Sequence, residues 1–149
     1  MDVLAFTSEM IPDVIEFERR LRVEEPFYNW EIDEAYQKRV EETFDDPRFG
    51  NAVSLLAYEN GRVVGRIDGS VIASRFDGSV NAYLDWICVI KSSRHAGIAQ
   101  ALLAELRCRM KQAGAAQMIA LMAANEEAQR FYRAVERASI HDEGIWIDL

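Results

Sequence analysis

A short stretch, Arg94-His95-Ala96-Gly97-Ile98-Ala99, combines residue types that bind anions. It lies between an apolar run with strand composition, residues 83–90, and a segment with apolar residues at helical spacing, residues 97–112. The first N–H groups of a helix have no partner within the helix, and the helix dipole adds partial positive charge there. Gly97 allows close approach to the main chain, and Arg94 supplies a charge that can reach a phosphate. The stretch therefore suits a phosphate or pyrophosphate, although taken alone it is a weak signal that an ordinary strand-to-helix turn also explains.

A second segment lies downstream, at Asn125-Glu126-Glu127-Ala128-Gln129-Arg130-Phe131-Tyr132. Together the two segments resemble the GNAT superfamily of acetyl-coenzyme A-dependent N-acetyltransferases. That family carries Q/R-x-x-G-x-G/A on the loop after its fourth strand and N-x-x-A-x-x-F-Y further along the chain. Both patterns occur here in the same order and at the expected separation. Their coincidence is far more specific than either pattern alone.

The resemblance implies a site for acetyl-coenzyme A. The diphosphate would lie on residues 95–100 with Arg94 at the edge, and the pantetheine would pair with the backbone of the fourth strand. Asn125 matches an asparagine whose amide bonds the cofactor, although a simple helix cap explains it equally well. The implied cofactor-binding residues are Ile87, Cys88, Val89, Arg94, His95, Ala96, Gly97, Ile98, Ala99, Gln100 and Asn125.

The resemblance also implies a catalytic acid at Tyr132, the tyrosine that protonates the departing thiolate in family members. A phenol suits this task because its ordinary pKa of about 10 keeps it protonated at neutral pH. The alternative is that Ala128, Phe131, Tyr132 and Val135 form the buried stripe of a helix.

Asp85 is the candidate general base, because it is an acid in an otherwise apolar strand. A buried carboxylate is unfavourable unless it is paired or used in chemistry. Alternation places Asp85 on one face with Tyr83 and Ile87, near the expected entrance of the acceptor. It could take a proton from a substrate ammonium, or it could equally bond a neighbouring backbone group or arginine.

Other residues are weaker candidates for catalysis or metal binding. Some relatives place a catalytic glutamate on the fifth strand, where this chain has Ile119-Ala120-Leu121-Met122. His95 would contact the cofactor or solvent, and His141 is expected to be structural. Cys88 is expected to be a small buried apolar residue rather than a nucleophile. No cysteine–histidine cluster predicts a metal site. The family's usual glycine–phenylalanine pair is replaced by Val135-Glu136-Arg137, which leaves the C-terminal hairpin and part of the acceptor pocket in question.

The elements that must position these residues follow from periodicity and turn signals. We expect a single domain, residues 1–149, of the α+β class, with one mixed, mostly antiparallel sheet flanked by helices, as in the GNAT or acyl-CoA N-acyltransferase fold. The hairpin signal Asn60-Gly61 joins two of the strands. The strand at 117–123 should be buried on both faces, because it is nearly all apolar. The predicted strands are 2–6, 52–58, 62–73, 83–90, 117–123 and a last hairpin of 139–141 and 145–149 around Glu143-Gly144, and the predicted helices are 11–22, 33–45, 97–112 and 126–134.

Composition and charge limit the classes of binding partner and the cellular locations that we expect. A net charge of −8 disfavours nucleic acid and anionic membranes and would favour a cationic partner, although acidity can also serve solubility alone. No apolar run approaches the ~20 residues of a membrane helix, and the N-terminus is acidic where a signal peptide is basic. Two cysteines in a strand and a helix form no disulfide framework, so cytosol is the simplest location.

The leading hypothesis is therefore an N-acetyltransferase that moves the acetyl group of acetyl-CoA directly to a primary amine of a small molecule or peptide. The alternative is a non-catalytic acyl-CoA-binding regulatory module of the same fold. A homodimer is left open. In the family the acceptor enters over the first two helices, so the resemblance makes Glu24, Glu25, Tyr28 and Trp30 the acceptor candidates.

Overall fold

A computed structural model describes residues 1–26, 28–141 and 144–148 of the chain. Its longer elements are β1 Asp2–Ala5, α1 Ile11–Glu24, α2 Glu34–Glu42, β2 Ala52–Glu59, β3 Arg62–Ala73, β4 Val80–Val89, α3 Ile98–Gln112, β5 Met118–Ala120 and α4 Glu126–Arg133. The strands form one sheet in the order β1-β2-β3-β4-β5. The predicted fold class, a single mixed sheet flanked by helices, is confirmed.

The first four strands pair in antiparallel fashion along the chain. The turn between β2 and β3 is made by Asn60 and Gly61, with φ of 52° and 76°. Both angles lie in the left-handed region that two-residue hairpins require, as the Asn-Gly signal predicts. This long central hairpin with β4 beside it provides the platform on which α1 and α3 pack.

One face of the sheet is covered by α1. Its apolar residues recur at helical spacing and meet side chains of the middle strands in a buried cluster. Ile11 and Ile15, in the N-terminal part of the same helix, pack with Ile32 and with Tyr36 and Val40 of α2. The buried cluster consists of Val14, Phe17, Leu21, Leu56, Val63, Cys88 and Ile90.

The opposite face of β3 is covered by α3, which packs against strand glycines. A Cβ on Gly65 would lie 3.0 Å from side-chain atoms of Ile98 and Leu102. A Cβ on Gly69 would lie 2.8 Å from the carbonyl oxygen of Tyr83 and 3.1 Å from Met110. The helix therefore approaches the strand backbone more closely than a side chain at either position would allow.

By residue contacts the chain divides into two compact units, Met1–Ile119 and Ala120–Leu149. The first contains the α1 to α3 helices and the central strands, and the second contains α4. The assignment of a single domain to residues 1–149 stays a prediction.

Two predictions near the C-terminus are wrong for the residues described. The strand expected at 117–123 covers only Met118–Ala120, and Ile119 is 48% exposed rather than buried on both faces. Residues 139–141 and 144–148 are not strands, while Glu143 and Leu149 of the predicted hairpin lie outside the described residues. The side chains of Ser139 and His141 instead bond each other at 2.7 Å. Such a local bond competes with strand pairing, and a two-stranded hairpin without a face to bury is marginal in water.

Candidate functional site

The loop before α3 has the backbone geometry of an anion site. After a short 3-10 turn, Lys91–Ser93, the chain reaches Gly97 with φ of 79°, in the left-handed region. The first helical hydrogen bond runs from the Ala101 N–H to the Gly97 carbonyl at 3.0 Å. The N–H groups of the three preceding residues, 98–100, therefore have no acceptor within the helix.

This helix end is open to solvent. His95, Ala96 and Gly97 are exposed, and a Cβ built on Gly97 would meet no atom within 4 Å. The first turn of α3 contains no acid and no side-chain cap. N–H groups without an acceptor in the helix, the positive end of the helix dipole and free space beside a glycine together fit a phosphate group.

Arg94 is directed inward. Its guanidinium forms an ion pair with Glu25, and its Nε–H donates to the Val89 carbonyl at 3.1 Å. The side chains of Arg94 and Glu25 are 20% and 11% exposed. The charge predicted to reach a phosphate thus lies at the base of the loop, joined to the end of α1.

The hydrogen-bond ladder decides which backbone groups of β4 face away from β3. The Ile90 N–H donates to the Val64 carbonyl at 2.9 Å, so alternate residues from Ile90 backward bond β3. Cys88 directs its N–H and C=O toward β3, so these groups bond the neighbouring strand. Ile87 and Val89 direct theirs to the other edge. Burial raises the pKa of the Cys88 thiol to about 11, which agrees with an unreactive apolar role.

Asp85 is the extra residue of a β-bulge. Trp86 pairs with Asp68 and Leu84 with Gly69, which leaves Asp85 without an opposite residue. Its side chain is exposed, so the premise of a buried carboxylate is wrong, and the bulge breaks the alternation that would place it with Ile87. Partial burial raises the pKa of Asp85, the Asp68 charge raises it further, and Arg66 opposes both. The bulge therefore holds an accessible carboxylate with increased proton affinity.

A polar network behind Asp85 was missed by sequence analysis. Arg66 donates to both carboxylate oxygens of Asp68, at 2.7 and 3.1 Å, and to Glu18 at 3.2 Å. The Ser54 hydroxyl donates to Asp68 at 2.6 Å. The Glu18 residue is 4% exposed. An arginine and an aspartate two residues apart in an apolar strand share one face, and this was the signal available in the sequence.

Three aromatic side chains form a cluster beside the same part of β4. The Tyr28, Trp30 and Trp86 rings contact one another edge to face, with centroids 5.4 to 6.0 Å apart. The Arg22 guanidinium lies 4.3 Å from the centroid of Trp30. Of the four residues suggested for the acceptor, Tyr28 and Trp30 therefore lie in an aromatic surface. Glu24 and Glu25 instead bond the loop before α3.

In the second unit, Asn125 caps α4, with its Oδ1 accepting the Ala128 N–H at 2.8 Å. The helix-cap explanation for Asn125 is thus correct, and it does not exclude a cofactor bond from the side-chain amide nitrogen. Tyr132 is half-buried, with its ring 5.3 Å from that of Phe131 at a steep angle. A partly accessible phenol is compatible with both the catalytic and the packing explanation.

Among residues 1–26, 28–141 and 144–148, no group of three or more His, Cys, Asp or Glu side chains is arranged to hold a metal ion. Within the same ranges no helix has the length and apolar character needed to cross a membrane.

The family model described as "Acetyltransferase (GNAT) family" matches residues 16–135. A comparison with curated proteins gives no significant match.

Several solved structures share the fold at low identity. An aminoglycoside acetyltransferase from an uncultured soil metagenomic sample, in complex with sisomicin, is 15% identical with a TM-score of 0.82, over 99% of this chain and 95% of that one. Ribosomal-protein-alanine N-acetyltransferase from Brucella melitensis biovar Abortus 2308 is 16% identical with a TM-score of 0.75, over 100% and 99%. Aminoglycoside N-acetyltransferase AAC(6')-Iy in complex with CoA is 17% identical with a TM-score of 0.72, over 99% of both chains.

Proposed function

Because this chain belongs to the acetyltransferase (GNAT) family, we propose that it transfers the acetyl group of acetyl-coenzyme A directly to a primary amine. The family match confirms the resemblance drawn from the two motifs, and with it the prediction of an acetyl-CoA-dependent acetyltransferase. The acceptor and the residue roles given below are the parts that we infer.

The observation that carries the proposal is the open N-terminus of α3. Gly97, in a left-handed conformation with free space beside it, leaves the first-turn N–H groups accessible to a diphosphate. The outward N–H and C=O of Ile87 and the outward N–H of Val89, whose carbonyl accepts from Arg94, offer hydrogen bonds to an extended, amide-containing chain such as pantetheine. A solved structure of the same fold is a complex with CoA, which agrees with this assignment.

Acetyl-coenzyme A supplies an acetyl group activated as a thioester. The residues of this chain need only bind it, orient it and move protons. We assign Asp85 to take a proton from the acceptor ammonium, giving the neutral amine whose lone pair forms the new C–N bond. We assign Tyr132 to give its phenolic proton to the sulfur as the C–S bond breaks, and the proton that the nitrogen loses on becoming an amide restores the phenol. Asn125 is assigned to hold the cofactor through the nitrogen of its side-chain amide.

The acceptor we infer is cationic. Asp85 is an exposed carboxylate, and the Asp68 charge acts on it with the opposite sign to that of Arg66. The aromatic surface of Tyr28, Trp30 and Trp86 provides rings that attract cations or sugar faces. Structures of the same fold are named for aminoglycosides and for a ribosomal-protein alanine, so polyamine-like and peptide amines are both suitable first tests. Cytoplasmic location and a homodimer stay predictions.

One observation favours a non-catalytic acyl-CoA-binding module instead. The fifth strand and the residues after it, where some family members carry a catalytic glutamate, are apolar at 119–122. Such a module would bind acetyl-CoA without turnover.

The experiment separates binding from turnover. The full chain is titrated with acetyl-CoA by calorimetry, and thiol release is then followed with an aminoglycoside, a polyamine and a peptide with an N-terminal alanine. We expect binding and amine-dependent thiol release. Binding without release with any amine would favour the regulatory module, and absence of binding by folded protein would overturn both.

A further inference from the structure

The helix α1 ends in two adjacent glutamates at a position that disfavours acids. Glu24 is the last residue of the helix and Glu25 is its C-cap. The C-terminus of a helix carries partial negative charge, so it destabilises a carboxylate placed there. Glu25 is also buried, with 9% of the residue exposed. A pair of acids at this place therefore needs compensating contacts from elsewhere in the molecule.

The compensating contacts come from the loop before α3. The Ser92 N–H donates to one oxygen of Glu24 at 2.8 Å, and the Ser92 hydroxyl donates to the other at 2.9 Å. The backbone bond from Ser92 is the main reason that the pKa of Glu24 lies below its ordinary value. Glu25 forms the ion pair with Arg94. Both carboxylates thus hold the chain between β4 and Gly97.

We propose that Glu24 and Glu25 are positioning residues for the diphosphate loop, and that Glu24 increases the affinity for acetyl-CoA although it has the same sign of charge as the ligand. This inference rests on the proposed function. The 3-10 turn Lys91–Ser93 directs the chain toward Gly97, and Glu24 fixes the central residue of that turn at both its N–H and its hydroxyl. Fixing the turn sets the direction of the first-turn N–H groups of α3.

Electrostatics alone predicts the opposite effect. Removal of an acid near a bound polyanion should strengthen binding, because one repulsive charge is lost. Removal of a residue that orients the loop should weaken binding, because the ligand must then order the loop itself. The sign of the change in affinity therefore distinguishes the two effects.

The test compares dissociation constants for acetyl-CoA, measured by calorimetry, in the wild-type chain and three variants. Glu24→Ala removes both bonds to Ser92 and should raise the constant about tenfold. Glu24→Gln keeps an oxygen for the Ser92 N–H and an amide that can bond the hydroxyl, so it should recover most of the lost affinity. Glu42→Ala is the matched control, because Glu42 is the last residue of α2, is exposed and pairs with Lys38 instead of the loop.

Several results would overturn the proposal. They are unchanged or tighter binding by Glu24→Ala, no recovery in Glu24→Gln, or an equal loss of affinity in Glu42→Ala. If Glu24→Ala fails to fold, Ser92→Ala removes the hydroxyl bond alone and should raise the dissociation constant about threefold, and unchanged affinity would then count against the inference. Wild-type protein that folds but does not bind acetyl-CoA would overturn the proposed function itself, a result distinct from all of these.

Discussion

Arg94 and Glu25 form an ion pair that links the loop before α3 to the end of α1, and neither side chain is more than one-fifth exposed. A buried ion pair stabilises a fold only while both partners are present. Arg94 consequently has a structural role whether or not it also contacts a phosphate.

Replacement of Arg94 by alanine should lower the free energy of unfolding by about 2 kcal/mol, because the Glu25 carboxylate is left buried without its partner. Affinity for acetyl-CoA should also fall. Urea denaturation and calorimetry measure the two effects separately. The double variant Arg94→Ala/Glu25→Gln should regain stability but not affinity. If the double variant regains both stability and affinity, Arg94 affects acetyl-CoA binding only by stabilising the folded loop and not by contacting the ligand.

Replacement of Gly97 by alanine should abolish detectable acetyl-CoA binding, because the new methyl group occupies the open space beside the helix N-terminus. Left-handed φ adds a backbone strain of about 1–2 kcal/mol. Gly61→Ala is the control, since Gly61 also has positive φ and no atom within 4 Å of an added Cβ. Both variants should lose similar stability by thermal denaturation. If Gly61→Ala also loses acetyl-CoA binding, the loss in Gly97→Ala results from backbone strain and not from the occupied space.

Replacement of Asp85 by asparagine should reduce amine-dependent turnover by about 10²-fold or more and remove the acid limb of the pH profile. The pKa of Asp85 is raised by burial and by Asp68. In the wild-type enzyme kcat/KM should therefore fall as the pH decreases, with a midpoint above the ordinary pKa of an aspartate. Asp68→Asn removes a nearby negative charge and should move this limb to lower pH. A limb that persists in Asp85→Asn would assign the base to another group.

Replacement of Tyr132 by phenylalanine should lower turnover about 10²-fold with little change in acetyl-CoA affinity, because only the phenolic proton is lost. The ring and its contact with Phe131 are kept, so thermal stability should stay close to wild type. Steady-state kinetics and calorimetry report the two quantities. Unchanged turnover would leave the packing explanation for Tyr132.

The parts of the fold that depend on neighbouring residues were predictable. The Asn60-Gly61 turn and the cap at Asn125 are local features, because their residue types favour particular backbone conformations. The family resemblance located the candidate loop and α4 by the same means, because both motifs are short and contiguous.

The features that sequence analysis missed depend on long-range pairing. The bulge at Asp85 follows from the register of β4 on β3, and periodicity in one strand does not reveal a register shift. The bonds from Glu24 and Glu25 to the loop join distant segments, and no local pattern predicts them. The strands expected near the C-terminus had suitable composition, but among the described residues there they do not form the predicted ladder.

The two glycines of β3 beneath α3 have a consequence for ligand capture. With main chain rather than side chains under it, the helix packs directly on the strand, and a Cβ at either glycine would press on side chains of the helix. We expect this close packing to limit movement of the helix over the strand. Its leading amides are therefore preorganised, and an arriving anion meets donors already in place. Most of the entropic cost of ordering that site is incurred during folding. Association should therefore require little rearrangement of the helix itself.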